Sequence, residues 1–381
     1  MSNLLEKASI ILTPTAYSDG DLHCIKPNTA TGDFDFTRST TATRINSSGN
    51  VESVAANLPR IDYTGGTGQI LLEPQSTNLL TYSEDFTEWA KNSGTTLTEN
   101  NIISPDGTQN ATLVVSAGSG SRVGLNTSIV SGTTYTFSVY LKNNGGNTSI
   151  NIGSHGTTQL ETVTINNDWN RYTTTFTASS TTTSSIRIIS SGSSINLHSW
   201  GAQLEALSFP TSYIPTSGST STRNADAANN SGSSSLINGG GSGEGVIYAE
   251  IAAFTSSPGV CNISLSDNNQ LRRIVIGFGF SANQILCSIN NGSTFPNFLS
   301  FQTITDVTAY NKIALKYKLN DISLYINGVE VATDTSSTIP TLQSLQFDNG
   351  YNGASQFFGN VKCVAVYKEA LTDAELTCLT T

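Results

Sequence analysis

The sequence predicts an all-β protein with two antiparallel β-sandwich (jelly-roll) domains preceded by an extended, hairpin-bearing N-terminal arm. Of its 381 residues, 37% are hydrophobic and only 12% are charged, so the chain can bury more than one core. The chain is rich in Ser, Thr and Asn and has 33 Gly, whereas the surfaces of helical bundles are usually built from Glu, Lys and Arg, so the composition disfavours a helical bundle. Many short segments alternate apolar and polar residues between Gly, Asn and Ser turns, which is typical of antiparallel strands.

Residues 1–68 are expected to form the arm. Within them, the stretch TATRINSSGNVESV alternates on both sides of Ser-Ser-Gly-Asn, which predicts a hairpin. An arm of this kind needs a surface to lie on, either in the same chain or on a partner.

The rest of the chain predicts two sandwiches and a connection. Residues 69–223 contain regularly spaced strand patterns, from TLVVSA to INLHSWGAQLEA. Residues 224–243 include a Gly- and Ser-rich stretch that predicts a loop or flexible linker. Strand patterns resume in residues 244–381, which predict the second sandwich.

Two local motifs mark this last segment. Asn327 and Gly328 have the composition of a tight hairpin turn in which glycine supplies a positive φ. Near the C-terminus, Thr372 and Glu375 have the spacing of a helical capping box. We therefore expect one short helical turn to close the domain.

The charge pattern excludes several classes of partner. The formal net charge is −10 and no basic stripe occurs, so neither nucleic acid nor an anionic membrane is an expected partner. The first twenty residues lack the pattern of an export signal, and no apolar run is long enough to predict membrane insertion.

Residue patterns for catalysis and metal binding are weak, and the sequence predicts a protein without enzymatic activity. None of the three histidines stands at ligand spacing, and no nucleophile elbow occurs. Glu84, Asp85 and Glu88 are the nearest candidates for a pair of hydrolytic carboxylates, but binding is the favoured interpretation. No cofactor or metal site is predicted, although a structural calcium ion near Asp85 or Asp348 is compatible with a jelly roll. Five cysteines without a C-x-x-C pair predict free thiols: Cys24, Cys261, Cys287, Cys363 and Cys378.

Aromatic residues near turns are the candidate ligand contacts, because exposed rings pack against the apolar faces of sugars. Trp89 and Trp169 flank turns and are the favoured surface candidates in the first sandwich, whereas Trp200 is expected in the core. In the second sandwich, Tyr351 and Asn352 lie in a loop pattern.

The stretches NKIALKYKLNDISLYINGVEVAT and FFGNVKCVAVYKEALTDAELTCL resemble the paired strands and the closing strand and helix of concanavalin A-like, laminin-G-like jelly rolls. The middle segment, with WNRYTTTFTA and HSWGAQLEALSFPTSYIPT, resembles carbohydrate-binding jelly rolls. Together with FTRSTTATRINSSGNVESVAANLPRIDY and ILLEPQSTNLLTYSEDF, nearly the whole chain resembles tailed-bacteriophage virion proteins of fibre, appendage and capsid-decorating types.

The resemblance implies a virion structural protein that is assembled in the host cytoplasm and released by lysis. Its N-terminal arm would attach to capsid, portal or tail proteins, and its sandwiches would adhere to host surface glycans. It also implies a homo-oligomer, most simply a trimer, although no heptad indicates one. A purely architectural cementing protein and a glycan depolymerase are the alternatives. We further expect the arm to be pinned to the joint between the sandwiches by Arg38, Arg44 and Arg223, the alternative being that these arginines are solvated.

Overall fold

A computed structural model describes residues 2–118, 120–146, 148–155, 159–192, 194–238, 243–269 and 271–381. The chain forms two compact units, each built from separate stretches of sequence. Unit 1 comprises Met1–Ser39, Ala55–Pro74 and Ala225–Thr381, and unit 2 comprises Thr40–Val54 and Gln75–Asn224.

Strands and short helices follow one another along the chain in three successive parts. The first part contains α1 (Ser2–Lys7), β1 (Ala8–Ser18), β2 (Asp21–Lys26), a 3-10 turn (Ala30–Gly32), β3 (Phe34–Thr37), β4 (Ala42–Ile45), β5 (Val51–Val54), β6 (Ile61–Asp62), β7 (Gln69–Leu72) and β8 (Ser76–Asn78). The middle part contains a 3-10 turn (Phe86–Glu88), β9 (Ala90–Lys91), β10 (Thr95–Ile102), β11 (Ala111–Ser116), β12 (Arg122–Ile129), β13 (Thr134–Asn143), β14 (Ser149–Ser154), β15 (Gln159–Thr164), β16 (Asn170–Thr177), β17 (Thr182–Ser190), β18 (Ile195–Glu205) and β19 (Ser221–Arg223). The last part contains β20 (Ala227–Asn229), α2 (Ser234–Ile237), β21 (Gly245–Ala252), β22 (Cys261–Asn269), β23 (Arg272–Phe278), β24 (Gln284–Asn291), β25 (Phe298–Thr303), β26 (Asn311–Tyr317), β27 (Ile322–Ile326), β28 (Val329–Asp334), β29 (Ser344–Gln346), β30 (Gly359–Tyr367) and α3 (Asp373–Thr380).

The predicted all-β class is confirmed, and unit 1 is a sandwich of two antiparallel sheets. The larger sheet has the order β20-β3-β2-β1-β30-β21-β26-β27-β28; in addition, β7 pairs with β30 and β6 pairs with β7. The smaller sheet has the order β25-β24-β23-β22-β29. Both sheets contribute apolar side chains to one core, in which Ile247 and Leu315 of the larger sheet meet Ile263 and Ile276 of the smaller. Burial of these side chains is the main stabilising contribution to the unit.

The predicted N-terminal arm is wrong as a separate segment, because its strands are part of both units. β1 pairs with β30 in unit 1, with Leu12 opposite Val364, and Ile10 and Leu12 are fully buried in the core. The predicted hairpin is confirmed as β4 and β5, where Ile45 lies opposite Val51, but it belongs to unit 2. Each piece is held by non-local strand pairing or packing, which a pattern of local alternation does not reveal.

The predicted linker also differs from the structure over its described residues. β20 pairs with β3, Ala228 is buried in the unit 1 core, and Ile237 of α2 is fully buried there as well. Residues 239–242 of the predicted linker lie outside the described residues. Residues 227–238 are therefore a structural part of unit 1.

Unit 2 is a second sandwich of two five-stranded antiparallel sheets. One has the order β10-β11-β18-β13-β16 and the other β15-β14-β17-β12-β9. Their facing side chains form one core, which includes Phe137 and Leu197 of the first sheet and Ile152 and Ile186 of the second. Two short pairs, β4 with β5 and β8 with β19, complete the unit.

The two local motifs of unit 1 are confirmed. Asn327 and Gly328 connect β27 to β28 with φ values of 49° and 84°, as a two-residue hairpin turn requires. The Thr372 side chain accepts a hydrogen bond from the Glu375 backbone N–H, and the Glu375 side chain accepts one from the Thr372 backbone N–H, which completes the capping box of α3.

No helix among the described residues has the length and apolarity needed to span a lipid bilayer.

Candidate functional site: the outer face of the smaller sheet of unit 1

The smaller sheet of unit 1 has an outer face, turned away from the core, that combines apolar and polar side chains. Because side chains alternate along a strand, Val275 points away from the core that Ile274 and Ile276 enter. In register with Val275 lie Ser288 of β24 and Ser264 of β22. The sheet therefore presents one row of side chains from each strand on this face.

An exposed apolar strip lies at the β25 edge of this face. Leu299 and Phe301 alternate outward from β25 and are 51% and 41% exposed. Phe280, in the turn after β23, is 75% exposed, and its ring centroid lies 6.1 Å from that of Phe301. We call Phe280, Leu299 and Phe301 the apolar strip. A phenylalanine pair left open to solvent is a candidate contact for an apolar surface of a ligand.

Polar side chains with unused bonding capacity lie on the same face. Asn262 and Asn290 are 5% exposed and Ser264 is fully buried. Four side-chain atoms on this face have no hydrogen-bond partner among the described residues: Asn262 Oδ1, Asn290 Oδ1, Ser264 Oγ and Arg273 Nε. Buried polar atoms normally have partners, so this cluster has capacity for further hydrogen bonds.

A segment of residues 348–356 covers the β22 side of the outer face. Ser266 Oγ donates to the Gly350 carbonyl at 2.8 Å, Arg273 donates to the Asn349 carbonyl at 2.9 Å, and Asn262 N donates to the Ser355 carbonyl at 2.9 Å. A Cβ at Gly350 would lie 2.6 Å from Ser266 Cβ, and φ there is +75°, so glycine is required for this close approach. The segment is thereby fixed on the sheet.

The electrostatics of this segment come from Asp348 and Arg273. Burial raises the pKa of Asp348, while the Gly350 N–H and Arg273 act against that rise. For the basic group the direction is reversed: burial lowers the pKa of Arg273, and the nearby Asp348 acts against that fall. The pair therefore brings one positive and one negative group to the polar side of the face.

The structure places Tyr351 and Asn352, two of the predicted ligand contacts, in this segment. Tyr351 is 41% exposed, and Asn352 is exposed with a φ of 56°, so both lie at the surface. The backbone of Tyr351 donates to Asn349 Oδ1 at 2.9 Å. They lie on the same side of unit 1 as the outer face because residues on either side of them bond to β22.

The surface position expected for Trp89 is wrong. Trp89 is 2% exposed, its ring lies 4.8 Å from that of Phe86, and its indole N–H donates to the Tyr82 carbonyl at 2.9 Å. The 3-10 turn that precedes Trp89 folds the ring inward, so closeness to a turn did not mean exposure. Trp169 is half-buried, and its indole donates to the Ile103 carbonyl at 3.0 Å.

The three arginines of the predicted pinning contact occupy different settings. Arg38 lies in unit 1 and pairs with Asp226, three positions after Arg223, at 3.0 Å. Arg44 pairs across its own hairpin with Glu52 at 3.2 Å, and Arg223 is buried in β19 of unit 2. A joint pinning role for the three arginines stays a prediction.

No group of three or more His, Cys, Asp or Glu side chains among the described residues is arranged to hold a metal ion. Asp85, one of the two aspartates compatible with calcium, accepts hydrogen bonds from the Thr87 N–H and hydroxyl at 2.9 and 2.6 Å. Asp348 accepts from the Gly350 N–H at 2.6 Å. Both carboxylates are thus engaged in local turns.

Comparison with known families identifies the domain that carries the site. Residues 250–377 match the family described as the concanavalin A-like lectin/glucanases superfamily. The expected C-terminal concanavalin A-like, laminin-G-like domain is confirmed, and it contains the apolar strip and the 348–356 segment.

Several solved structures share a partial likeness with the chain. A leech intramolecular trans-sialidase is 21% identical over 36% of this chain and 23% of its own, with a TM-score of 0.30. The CBM40 module of a Ruminococcus gnavus IT-sialidase is 20% identical over 36% of this chain and 83% of its own, with a TM-score of 0.31. The NanB sialidase of Streptococcus pneumoniae is 15% identical over 39% of this chain and 26% of its own, with a TM-score of 0.31. No curated protein matches the chain.

Sequence reasoning found the loop of this site but not its apolar strip. The alternating pattern around Phe301 shows that neighbouring side chains point to opposite faces of the sheet, but not which face is exposed to solvent. Phe280 follows Gly-Phe-Gly, where no alternation predicts its orientation. The usable signal is that Leu299 and Phe301 share one face of an edge strand.

Proposed function

We propose that this chain is a glycan-binding structural protein of a bacteriophage particle and that unit 1 binds the glycan on its outer face. The observation that carries the binding proposal is the exposed pair of Phe280 and Phe301, on the same side of unit 1 as the exposed side chains of Tyr351 and Asn352. Sugar rings have apolar C–H faces and polar rims, so one surface with both kinds of side chain matches both.

The arrangement supports binding rather than hydrolysis. Phe301 and Leu299 offer a contact for the flat side of a sugar ring, while Tyr351 and Asn352 stand exposed in the neighbouring segment. Hydrolysis requires two carboxyl groups about 5–10 Å apart on either side of the bond to be cleaved. On the polar side of this face, Asp348 is already bonded within its own turn. The proposed role is adhesion without catalysis.

The place on a virion rests on the resemblance of the sequence to tailed-phage fibre, appendage and capsid-decorating proteins. Such particles carry many copies of a surface protein, and a homo-oligomer multiplies each weak contact. Avidity then arises because later contacts form at a high effective concentration.

A glycan array probed with the full chain tests the binding role. We expect selective signals that fall about tenfold with Phe301→Ala or Phe280→Ala, because each substitution removes one ring from the contact. Phe295→Ala is the matched control, since Phe295 is 79% exposed but lies in the turn before β25. If the folded protein binds no glycan, or if the control reduces binding as much as Phe301→Ala, the proposal is overturned.

The virion role has its own test. Mass spectrometry of purified particles, followed by cryo-electron microscopy, should place the chain on the particle with the outer face of unit 1 turned to solvent. A chain found only outside particles contradicts the virion role and leaves the glycan test unaffected. A chain whose outer face is covered by neighbouring subunits would instead be an architectural cementing protein.

A further inference from the structure

A pocket of about 400 Å³ is lined by residues of unit 2, and none of these residues belongs to the proposed glycan site. One wall is the β4–β5 hairpin, which is held by a hydrogen bond from Val51 N to the Pro105 carbonyl at 2.9 Å and by Thr43 Oγ1 to the Tyr213 carbonyl at 2.5 Å. The pocket has the size of small-molecule sites in other proteins.

The charge on the pocket wall is negative. Among the described residues that line it, Glu52, Glu84 and Asp106 are acidic and none is Lys, Arg or His. Glu52 already pairs with Arg44 at 3.2 Å. Glu84 and Asp106 are tied together, because Asn110 Nδ2 donates to Glu84 at 3.1 Å and to Asp106 at 3.2 Å. The two carboxyl groups therefore act on one region of the pocket.

Buried polar atoms beside these acids have capacity that the described residues do not use. Trp200 lines the pocket and is 1% exposed, and its indole N–H has no acceptor among the described residues. Asn110 Oδ1 likewise has no donor among them. A buried N–H without an acceptor is destabilising, so a ligand that supplies an acceptor removes that cost. A fitting ligand therefore carries a hydrogen-bond acceptor for the indole N–H of Trp200, which lines the pocket.

The surroundings shift the pKa values of the two acids in opposite directions. Burial raises the pKa of Glu84, a hydrogen bond from Tyr213 at 2.8 Å acts against the rise, and Asp106 adds to it. For Asp106, burial opposes ionisation, but hydrogen bonds from Ser104, Thr108 and Asn110 outweigh it and hold the pKa below its ordinary value. A positive charge placed between them would stabilise both carboxylates.

We propose that this pocket binds a small amine that also carries hydroxyl groups, namely an amino sugar with a free ammonium group. The ammonium donates to Glu84 and Asp106, and a ring hydroxyl oxygen accepts from the Trp200 indole N–H. Trp200 and Tyr213, whose ring centroids lie 4.6 Å apart, form the aromatic wall. Aromatic faces and carboxylates together are the groups that attract organic cations. This site is independent of the glycan face of unit 1.

Isothermal titration calorimetry on the full chain at neutral pH tests the proposal with D-glucosamine and N-acetyl-D-glucosamine. The two sugars differ in the charge on nitrogen, so we expect glucosamine to bind at least about tenfold more tightly. Glu84→Gln and Asp106→Asn should each weaken glucosamine binding about tenfold or more, because each removes a charged acceptor while keeping its size. Glu88→Gln is the matched control, since Glu88 is exposed in the same unit and does not line the pocket.

Each outcome either supports or contradicts the amino-sugar site. Equal binding of the two sugars, no saturable glucosamine binding by the folded chain, or unchanged binding by both pocket variants would overturn the proposal. Circular dichroism and thermal unfolding show whether each variant is folded, and if Glu84→Gln does not fold, Asp106→Asn gives the answer. Glycan binding by unit 1 is measured separately with Phe301→Ala, so failure of one proposal is distinguishable from failure of the other.

Discussion

Arg38 and Asp226 lie 188 positions apart in the chain, yet their side chains form an ion pair at 3.0 Å with both side chains fully buried. Asp226 also accepts from Arg60 and from the Glu73 backbone N–H, and Arg60 pairs with Glu73 at 2.7 Å. Burial alone would lower the pKa of Arg60, but Asp226 and Glu73 hold it above its ordinary value. The network joins the three sequence stretches of unit 1 through one carboxylate.

Asp226→Ala should destabilise unit 1 by about 3–5 kcal/mol, because it removes the carboxylate that pairs with the buried guanidinium groups of both Arg38 and Arg60. Hydrogen exchange of the β30 amides under native conditions measures the opening of this unit. Glu244→Gln is the control, since Glu244 pairs with Lys318 at the surface and its loss should cost no more than about 1 kcal/mol. Similar losses for the two variants would show that the buried network is not a special source of stability.

The sequence predicted local features well because they depend on neighbours in the chain. The Asn327–Gly328 turn, the capping box and the β4–β5 hairpin each need only a few residues with the right conformational preferences. The predicted arm failed because nothing local indicates that β1 pairs with β30, more than three hundred positions later. Assignment of strands to units depends on such distant pairing.

Ile10→Ala gives a direct test of the role of β1 in the core. Ile10 is fully buried among the side chains of unit 1, so its truncation should cost about 2–5 kcal/mol in the free energy of unfolding. Ile25→Ala in β2 removes the same atoms from a side chain that is 48% exposed and should cost less than about 1 kcal/mol. Urea unfolding of both variants measures the difference. Equal effects would mean that β1 contributes as little as a mobile arm.

The candidate sites show the same division between local and distant information. Tyr351 and Asn352 were predictable as surface residues because they lie in a turn-rich stretch. Trp89 was not, since its burial depends on the fold of the turn around Phe86. The unit 2 pocket needs the hairpin, Glu84, Asp106 and Trp200 together, and only the tertiary fold brings them to one place.

Thiol labelling tests the burial of the cysteines, all of which are free. Burial raises the pKa of Cys24 and of Cys363 to about 12 and also raises those of Cys261 and Cys287, so few thiolates form at these positions at pH 8. Cys378 is exposed on α3 and should react with iodoacetamide first. Peptide mass spectrometry should show one modified cysteine in the folded protein and five modified cysteines after unfolding in urea. Early modification of Cys287 would instead reveal opening of the unit 1 core.

The pH dependence of stability should differ in sign between Glu84→Gln and Asp106→Asn. Because burial raises the pKa of Glu84 above 4.5, the folded chain keeps a proton that the unfolded chain releases, and stability falls as pH rises through that window. Glu84→Gln lacks this effect, so its stability relative to the native chain should increase between pH 4 and pH 7.

For Asp106, hydrogen bonds outweigh burial and lower the pKa below 3.8. The ionised carboxylate therefore stabilises the fold above pH 3.8, and this stabilisation is lost as the pH falls through the folded pKa. Asp106→Asn should therefore lose relative stability as pH rises from about 2 to about 5. Thermal unfolding of the three proteins across this range measures both slopes, and slopes of the same sign would contradict the assigned environments of the two carboxyl groups.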